Sequence, residues 1–167
     1  MNKGKEEIKI LVVFSFGSKE TEGNKELVNA IRWFTGGDSR WKIITQKDIP
    51  LSEGDVFRVF VEDFKSSCGW HSTLWVANAA IKICDHYHWP KVAHVLAAPM
   101  HIKRCVRDLK RIGFEEVKPF SFFDGRGIRW YDKKSSLPWT RSWLRWWHRE
   151  LKLRLLPWFL YKKLTLK

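Results

Sequence analysis

His101 and Arg104 stand three residues apart in Ala97-Ala98-Pro99-Met100-His101-Ile102-Lys103-Arg104-Cys105, directly after the apolar run Val92 to Ala97. If the run is a strand and the next residues open a helix, the spacing puts both side chains on one side of the first turn. A helix start offers unpaired amides and the positive end of the macrodipole, which favour an anion. The guanidinium adds a forked donor for two oxygens. The imidazole, titrating near neutrality, can donate a hydrogen bond or act as acid or base. The chemistry expected here is recognition of a phosphate or carboxylate, with His101 as the candidate catalytic group and Arg104 as a ligand-binding residue.

Other candidates surround this pair. Gly17 and Ser18 follow the first apolar run and are expected to border the same pocket as a turn, because neither G-x-G-x-x-G nor the lysine of a P-loop is present. Ser72 stands where a side-chain oxygen can cap a helix. His86 and His88 lie two apart on a helix, so their imidazoles diverge, and no shared metal is expected. Cys68, Cys84 and Cys105 are odd in number and widely spaced, which fits buried small hydrophobes rather than disulfides or a zinc site. Glu62, Asp63, Asp124, Arg126 and Arg129 follow strands, where solvated loops explain them as well as a site does. No cofactor is named by these residues.

Alternating elements must position the site. Ile8 to Phe14, Trp41 to Thr45, Val56 to Val61, Val92 to Ala97 and Val117 to Phe123 read as strands, rich in β-branched residues. Between them, Glu26 to Phe34 reads as a helix stopped by Gly36-Gly37. A second runs from a Ser72 or Thr73 cap to about Tyr87 before Pro90, and a third from Ile102 to Ile112 ends at Gly113. Alternation of this kind predicts an α/β three-layer, Rossmann-like domain with a mainly parallel sheet. Ligands of such sheets sit at the strand carboxyl ends near the switch in strand order. That nominates the loops Ser15 to Lys19, Ser66 to Thr73 and Ala98 to His101.

The chain has 167 residues, 44% hydrophobic and 29% charged, enough apolar side chain for one core and too much for a disordered chain. No apolar run reaches the roughly 18 residues of a spanning helix. The N-terminus lacks a signal-peptide pattern, so a cytoplasmic location is expected, with peripheral contact at the inner membrane face as an option. Residues 1 to 100 carry 13 Lys/Arg and 12 Asp/Glu, whereas residues 101 to 167 carry 18 and 6. The excess positive charge is therefore one-sided, which favours an anionic partner.

Residues 1–125 form the expected α/β domain, and 126–167 a basic amphipathic segment packed on it or extending it. A helical wheel over Arg141 to Leu155 puts Trp143, Leu144, Trp147, Leu151 and Leu155 on one side, and Arg141, Arg145, His148, Arg149 and Lys152 on the other. Two readings stay open. Either the apolar side packs on the sheet domain and the cationic side is solvated, or Trp143, Trp147, Arg141, Arg145 and Arg149 contact an anionic membrane surface. Nucleic-acid binding through the same segment has no recognised motif behind it.

The stretch around His101, together with Gly113-Phe114, resembles the family of domains that includes the bacterial SanA, ElyC and YdcF-type proteins. In that family a strand passes into H-x-x-R-A, which opens a helix finishing at Gly-Phe. His101, Arg104, Gly113 and Phe114 match, with Ala97-Ala98 in place of the usual Thr-Ser and Cys105 in place of Ala. Of the upstream S-x-N-T-x-E-N pattern, Ser72 and Asn78 match, which implies ligand-binding roles for both opposite His101 and Arg104, and Leu74, Trp75 and Ala77 depart from it. Thr45-Gln46-Lys47 stands where the family has Ser-Gly-Gly, and the following helix is shortened. The element order agrees over about residues 8 to 160. The resemblance implies a Rossmann-like fold that binds an anionic, nucleotide-like or phosphorylated small molecule, a role linked to envelope biogenesis, and phosphoester hydrolysis or transfer as the reaction class. Losing the glutamate of the upstream pattern weakens the case for catalysis more than for binding.

Overall fold

Five short segments, three of them apolar and rich in β-branched residues, pair edge to edge in a computed structural model that describes residues 7–52, 58–63, 72–120 and 128–165. The strands are β1 (Lys9–Val13), β2 (Trp41–Thr45), β3 (Arg58–Phe60), β4 (Val92–Leu96) and β5 (Glu116–Pro119), and all pairings are parallel. Their order is β3-β2-β1-β4-β5. The chain winds outward from β1 through β2 to β3, then crosses back to β4 on the other side of β1. The switch point therefore lies between β1 and β4, where the carboxyl ends diverge and leave a crevice.

Side chains alternate across the sheet because successive Cβ atoms in a strand point to opposite faces. Ile10, Val12, Phe14, Ile44 and Val95 face α2 (Thr73–Tyr87) and α3 (Pro99–Ile112) through Val76, Ala80, Ile83, Cys105 and Leu109. Leu11, Val13, Ile43 and Leu96 face α1 (Glu22–Thr35) through Leu27, Ala30 and Ile31, with Trp41, Trp130 and Trp146 in the same cluster. This is the expected three-layer α/β arrangement. Trp130 lies so close to α1 that a Cβ on Gly23 would sit 2.4 Å from its ring, so a side chain there would displace the segment leading to the C-terminus.

Boundaries differ from the sequence reading in instructive ways. α1 begins four residues earlier than expected, and α3 starts at Pro99, whose fixed φ suits a first helical turn. α2 ends through His88 in a left-handed conformation (φ 55°), two residues before Pro90. β5 stops at Pro119, and residues 121–123 of the predicted last strand lie outside the described residues, as do Cys68, Asp124, Arg126 and residues 66–71 of the second nominated loop. Cys84 and Cys105 are buried free thiols, pushed up to about 12 and well above the ordinary thiol range by burial.

The C-terminal helices correct one expectation outright. α4 (Trp143–Leu155) is capped by Ser142, and α5 (Trp158–Thr165), which the sequence reading did not separate, follows Pro157. α4 packs inward through Trp146 and Glu150, which are 3% and 2% exposed, not through its leucines. Trp143, Leu144, Leu151 and Leu155 are 54–75% exposed and Trp147 39%. The packing option had the apolar side buried and the cationic side solvated; the apolar side is instead exposed, while Arg145, His148 and Lys152 are solvated as expected. Tyr161 on α5 explains part of this, since its buried hydroxyl donates to Asp108 Oδ2 at 2.5 Å and ties the C-terminus to α3. Among the described residues no helix is long and apolar enough to cross a membrane.

Candidate functional site

A cavity of about 390 Å³ lies at the carboxyl end of the sheet, where the β1 turn, the residues after β2, the starts of α2 and α3, and α4 converge. The β1 turn is built by side chains that replace a regular backbone ladder. Asn24, fully buried on α1, accepts from Phe16 N at 2.9 Å and donates to Ser18 O at 2.9 Å. Gln46, the residue after β2, accepts from both the amide and hydroxyl of Ser15 at 3.1 and 3.0 Å. Gly17 has φ +91°, and a Cβ there would meet Thr21 Cγ2 at 2.8 Å, so the turn requires glycine.

His101 and Arg104 project from α3 into the floor of this cavity, 6% and 4% exposed. Arg104 Nη2 donates to His101 Nδ1 at 3.2 Å. A guanidinium has no acceptor, so Nδ1 is the bare nitrogen and Nε2 carries the proton, directed at Thr73 Oγ1 at 3.4 Å. Burial, and then the charges of Arg104 and Arg149, hold the imidazole well below its usual range, so it is neutral. Phe14, Phe16 and Trp146 enclose it edge-on, with ring centroids 5.1–6.3 Å away.

Arg104 is compensated from the C-terminal segment. Its Nη1 lies 2.8 Å from Glu150 Oε2 in an ion pair 3% and 2% exposed, and its guanidinium lies 5.2 Å from the Trp146 ring centroid. Its Nε has no hydrogen-bond partner among the described residues. Glu150 also accepts from Arg154 Nε at 3.1 Å. Arg149 is different. Its guanidinium stacks on Trp139 at 4.2 Å and makes no hydrogen bond or ion pair among the described residues, although it lines the cavity. Burial and the nearby Arg104 bring it down to about 10, still protonated at neutral pH. Asp48 is the one carboxylate among the described lining residues.

The structure thus brings together Gly17, Ser18, Ser72, His101 and Arg104, and adds Arg149 from the segment read as a surface contact. Asn78 does not line the cavity; it sits part-buried six residues beyond the α2 cap. Ser72 lines it, but its hydroxyl caps α2 by accepting from Trp75 N at 3.0 Å and donates to Thr165 O at 2.6 Å, so its proton is taken. The start of α3 is a poorer amide cradle than expected. Pro99 has no N–H, and the amides of His101 and Ile102 both bond to Ala98 O. Side chains, not backbone, supply the donors.

Sequence reasoning missed Gln46, Thr73, Trp139, Trp146 and Glu150. A signal for the last two was present, since Trp146, Arg149, Glu150 and Leu153 form a mixed face spaced at three and four residues. His86 and His88 are exposed, and Asp63 pairs with Lys47 at 2.6 Å on the surface, both away from the cavity. No group of three or more potential metal ligands occurs among the described residues.

Fold and cavity together define a doubly wound α/β domain with a basic, aromatic-walled site at its topological switch point. No family model, curated protein or solved structure matches the chain.

Proposed function

We propose that this domain binds an anionic small molecule, nucleotide-like or phosphorylated, in the cavity at the strand ends. The observation that carries the reading is Arg149, a mostly buried cation with no hydrogen bond or ion pair among the described residues, stacked on Trp139 at the wall of the cavity. Burying a cation without an anion is unfavourable, and a ligand phosphate reverses that cost. Arg104, whose charge is paired with Glu150, adds an Nε with no hydrogen bond among the described residues, and Ser18, Thr73 and Thr140 line the same space. A volume of about 390 Å³ suits a nucleotide- or sugar-phosphate-sized ligand. The resemblance to the SanA, ElyC and YdcF-type proteins points to the same ligand class and extends it to envelope biogenesis.

Binding is favoured over turnover. His101 is neutral with its Nδ1 occupied by Arg104, which leaves it a hydrogen-bond donor rather than a general base. The test is thermal unfolding of the full chain with inorganic phosphate, pyrophosphate, nucleotides and sugar phosphates, each run against Arg149→Gln. A ligand at about 100 times its dissociation constant adds roughly 2.7 kcal/mol to the folded state. The expected outcome is a rise in Tm for a phosphorylated compound that Arg149→Gln abolishes. A rise of equal size in the variant, or none for any phosphorylated compound, removes the reading.

A further inference from the structure

We infer that the outward face of α4 and α5 docks on an anionic lipid bilayer, lying in the headgroup interface. The face stands apart from the cavity. Trp143, Trp147, Leu151 and Leu155 recur every fourth residue and form one stripe, and all four are exposed. α5 continues the apolar exposure with Phe159 (69%). The inward side of α4 is occupied by Trp146 and Glu150, so no rotation of the helix can bury the stripe while Arg104 keeps its partner.

Charge identifies the occupant. Between Trp143 and Thr165 the chain has six Lys/Arg and a single acidic residue. That residue, Glu150, is 2% exposed and paired with Arg104 and Arg154, so this face offers no free carboxylate to solvent. Arg145, Lys152, Lys162 and Lys163 are exposed alongside the apolar residues. An apolar stripe with two indoles, bordered by cations, fits an interface in which hydrocarbon begins beneath anionic headgroups. Indoles favour that depth because the ring is apolar and its N–H finds a polar partner. Helices of 13 and 8 residues are too short to span and can only lie on the surface.

The experiment is flotation of the full chain with vesicles of phosphatidylcholine containing about one-third phosphatidylglycerol, against pure phosphatidylcholine, for wild type, Trp143→Ser/Leu151→Ser and Arg145→Glu/Lys152→Glu. All four positions are exposed, and an unchanged urea midpoint confirms that each variant folds. The expected result is at least about tenfold stronger partitioning onto the anionic vesicles, reduced about tenfold or more by either variant and weakened by raising salt. Arg149→Gln should float like wild type, which separates this surface from the cavity. Failure of the wild type to float with anionic vesicles overturns the proposal, as does flotation that both variants retain. So does a concentration-dependent dimer that Trp143→Ser/Leu151→Ser dissolves, because the face is then an interface between two copies.

Discussion

Arg104 donates from Nη2 to Nδ1 of His101, one helical turn before it on α3, and this bond fixes the tautomer of an imidazole that burial keeps neutral. Arginine keeps its charge at all physiological pH values, so the histidine beside it stays neutral with its proton on Nε2. The pair that reads in sequence as acid–base chemistry is, in the folded protein, a fixed donor surface on the cavity floor.

A pH dependence of stability follows from that state. The unfolded chain takes up a proton on His101 below about 6.5, while burial and two arginines prevent the folded chain from doing so. The unfolded state then binds more protons, so this contribution is fully present above about 6.5 and is lost as pH falls below it, with a limiting slope of about 1.4 kcal/mol per unit. Urea unfolding from pH 7.5 to 5 should show this slope in wild type. His101→Asn keeps an acceptor for Arg104 but cannot titrate, and its curve should be flatter. Parallel curves for the two proteins would rule out a neutral buried His101.

Glu150 should matter more than its place in a basic tail suggests. Glu150→Gln removes the charge facing Arg104 in a pair 3% and 2% exposed, leaving a buried cation uncompensated, at a cost of about 3–5 kcal/mol. Arg154→Ala, whose side chain is 42% exposed, should stay within about 1 kcal/mol. Chemical denaturation of the two variants decides the matter. Equal effects would mean that the ion pair does not anchor α4.

The β1 turn offers a backbone test. Gly17→Ala places a Cβ 2.8 Å from Thr21 Cγ2 at φ +91°, and is expected to destabilise by about 1–3 kcal/mol. The strain falls on the wall that Ser18 also forms, so affinity for the proposed phosphorylated ligand should drop as well. Calorimetric titration beside the unfolding midpoint reads both, and a neutral substitution would contradict the turn geometry.

Much of the architecture was legible because it depends on local pattern. The runs around Leu11, Ile43 and Val95 are apolar on both faces, which only a doubly covered parallel sheet explains, and Gly36 and Gly113 mark where α1 and α3 stop. A cap at Ser72 or Thr73 was legible because a hydroxyl before an apolar helix can accept its free amides, and Ser72 is the one that does. His101 and Arg104 were legible as neighbours because three-residue spacing on a helix guarantees it.

The sequence by itself determined the strand–helix alternation, the one-sided charge and the pairing of His101 with Arg104, since each follows from composition or from spacing along one element. Only the tertiary structure decided that α4 turns Arg149 and Glu150 toward the cavity and its tryptophan–leucine stripe outward. An amphipathic pattern states that a helix has two faces; which one is buried depends on what awaits it. Here a buried Arg104 required a carboxylate, and residues 46 positions apart in the chain met to supply it.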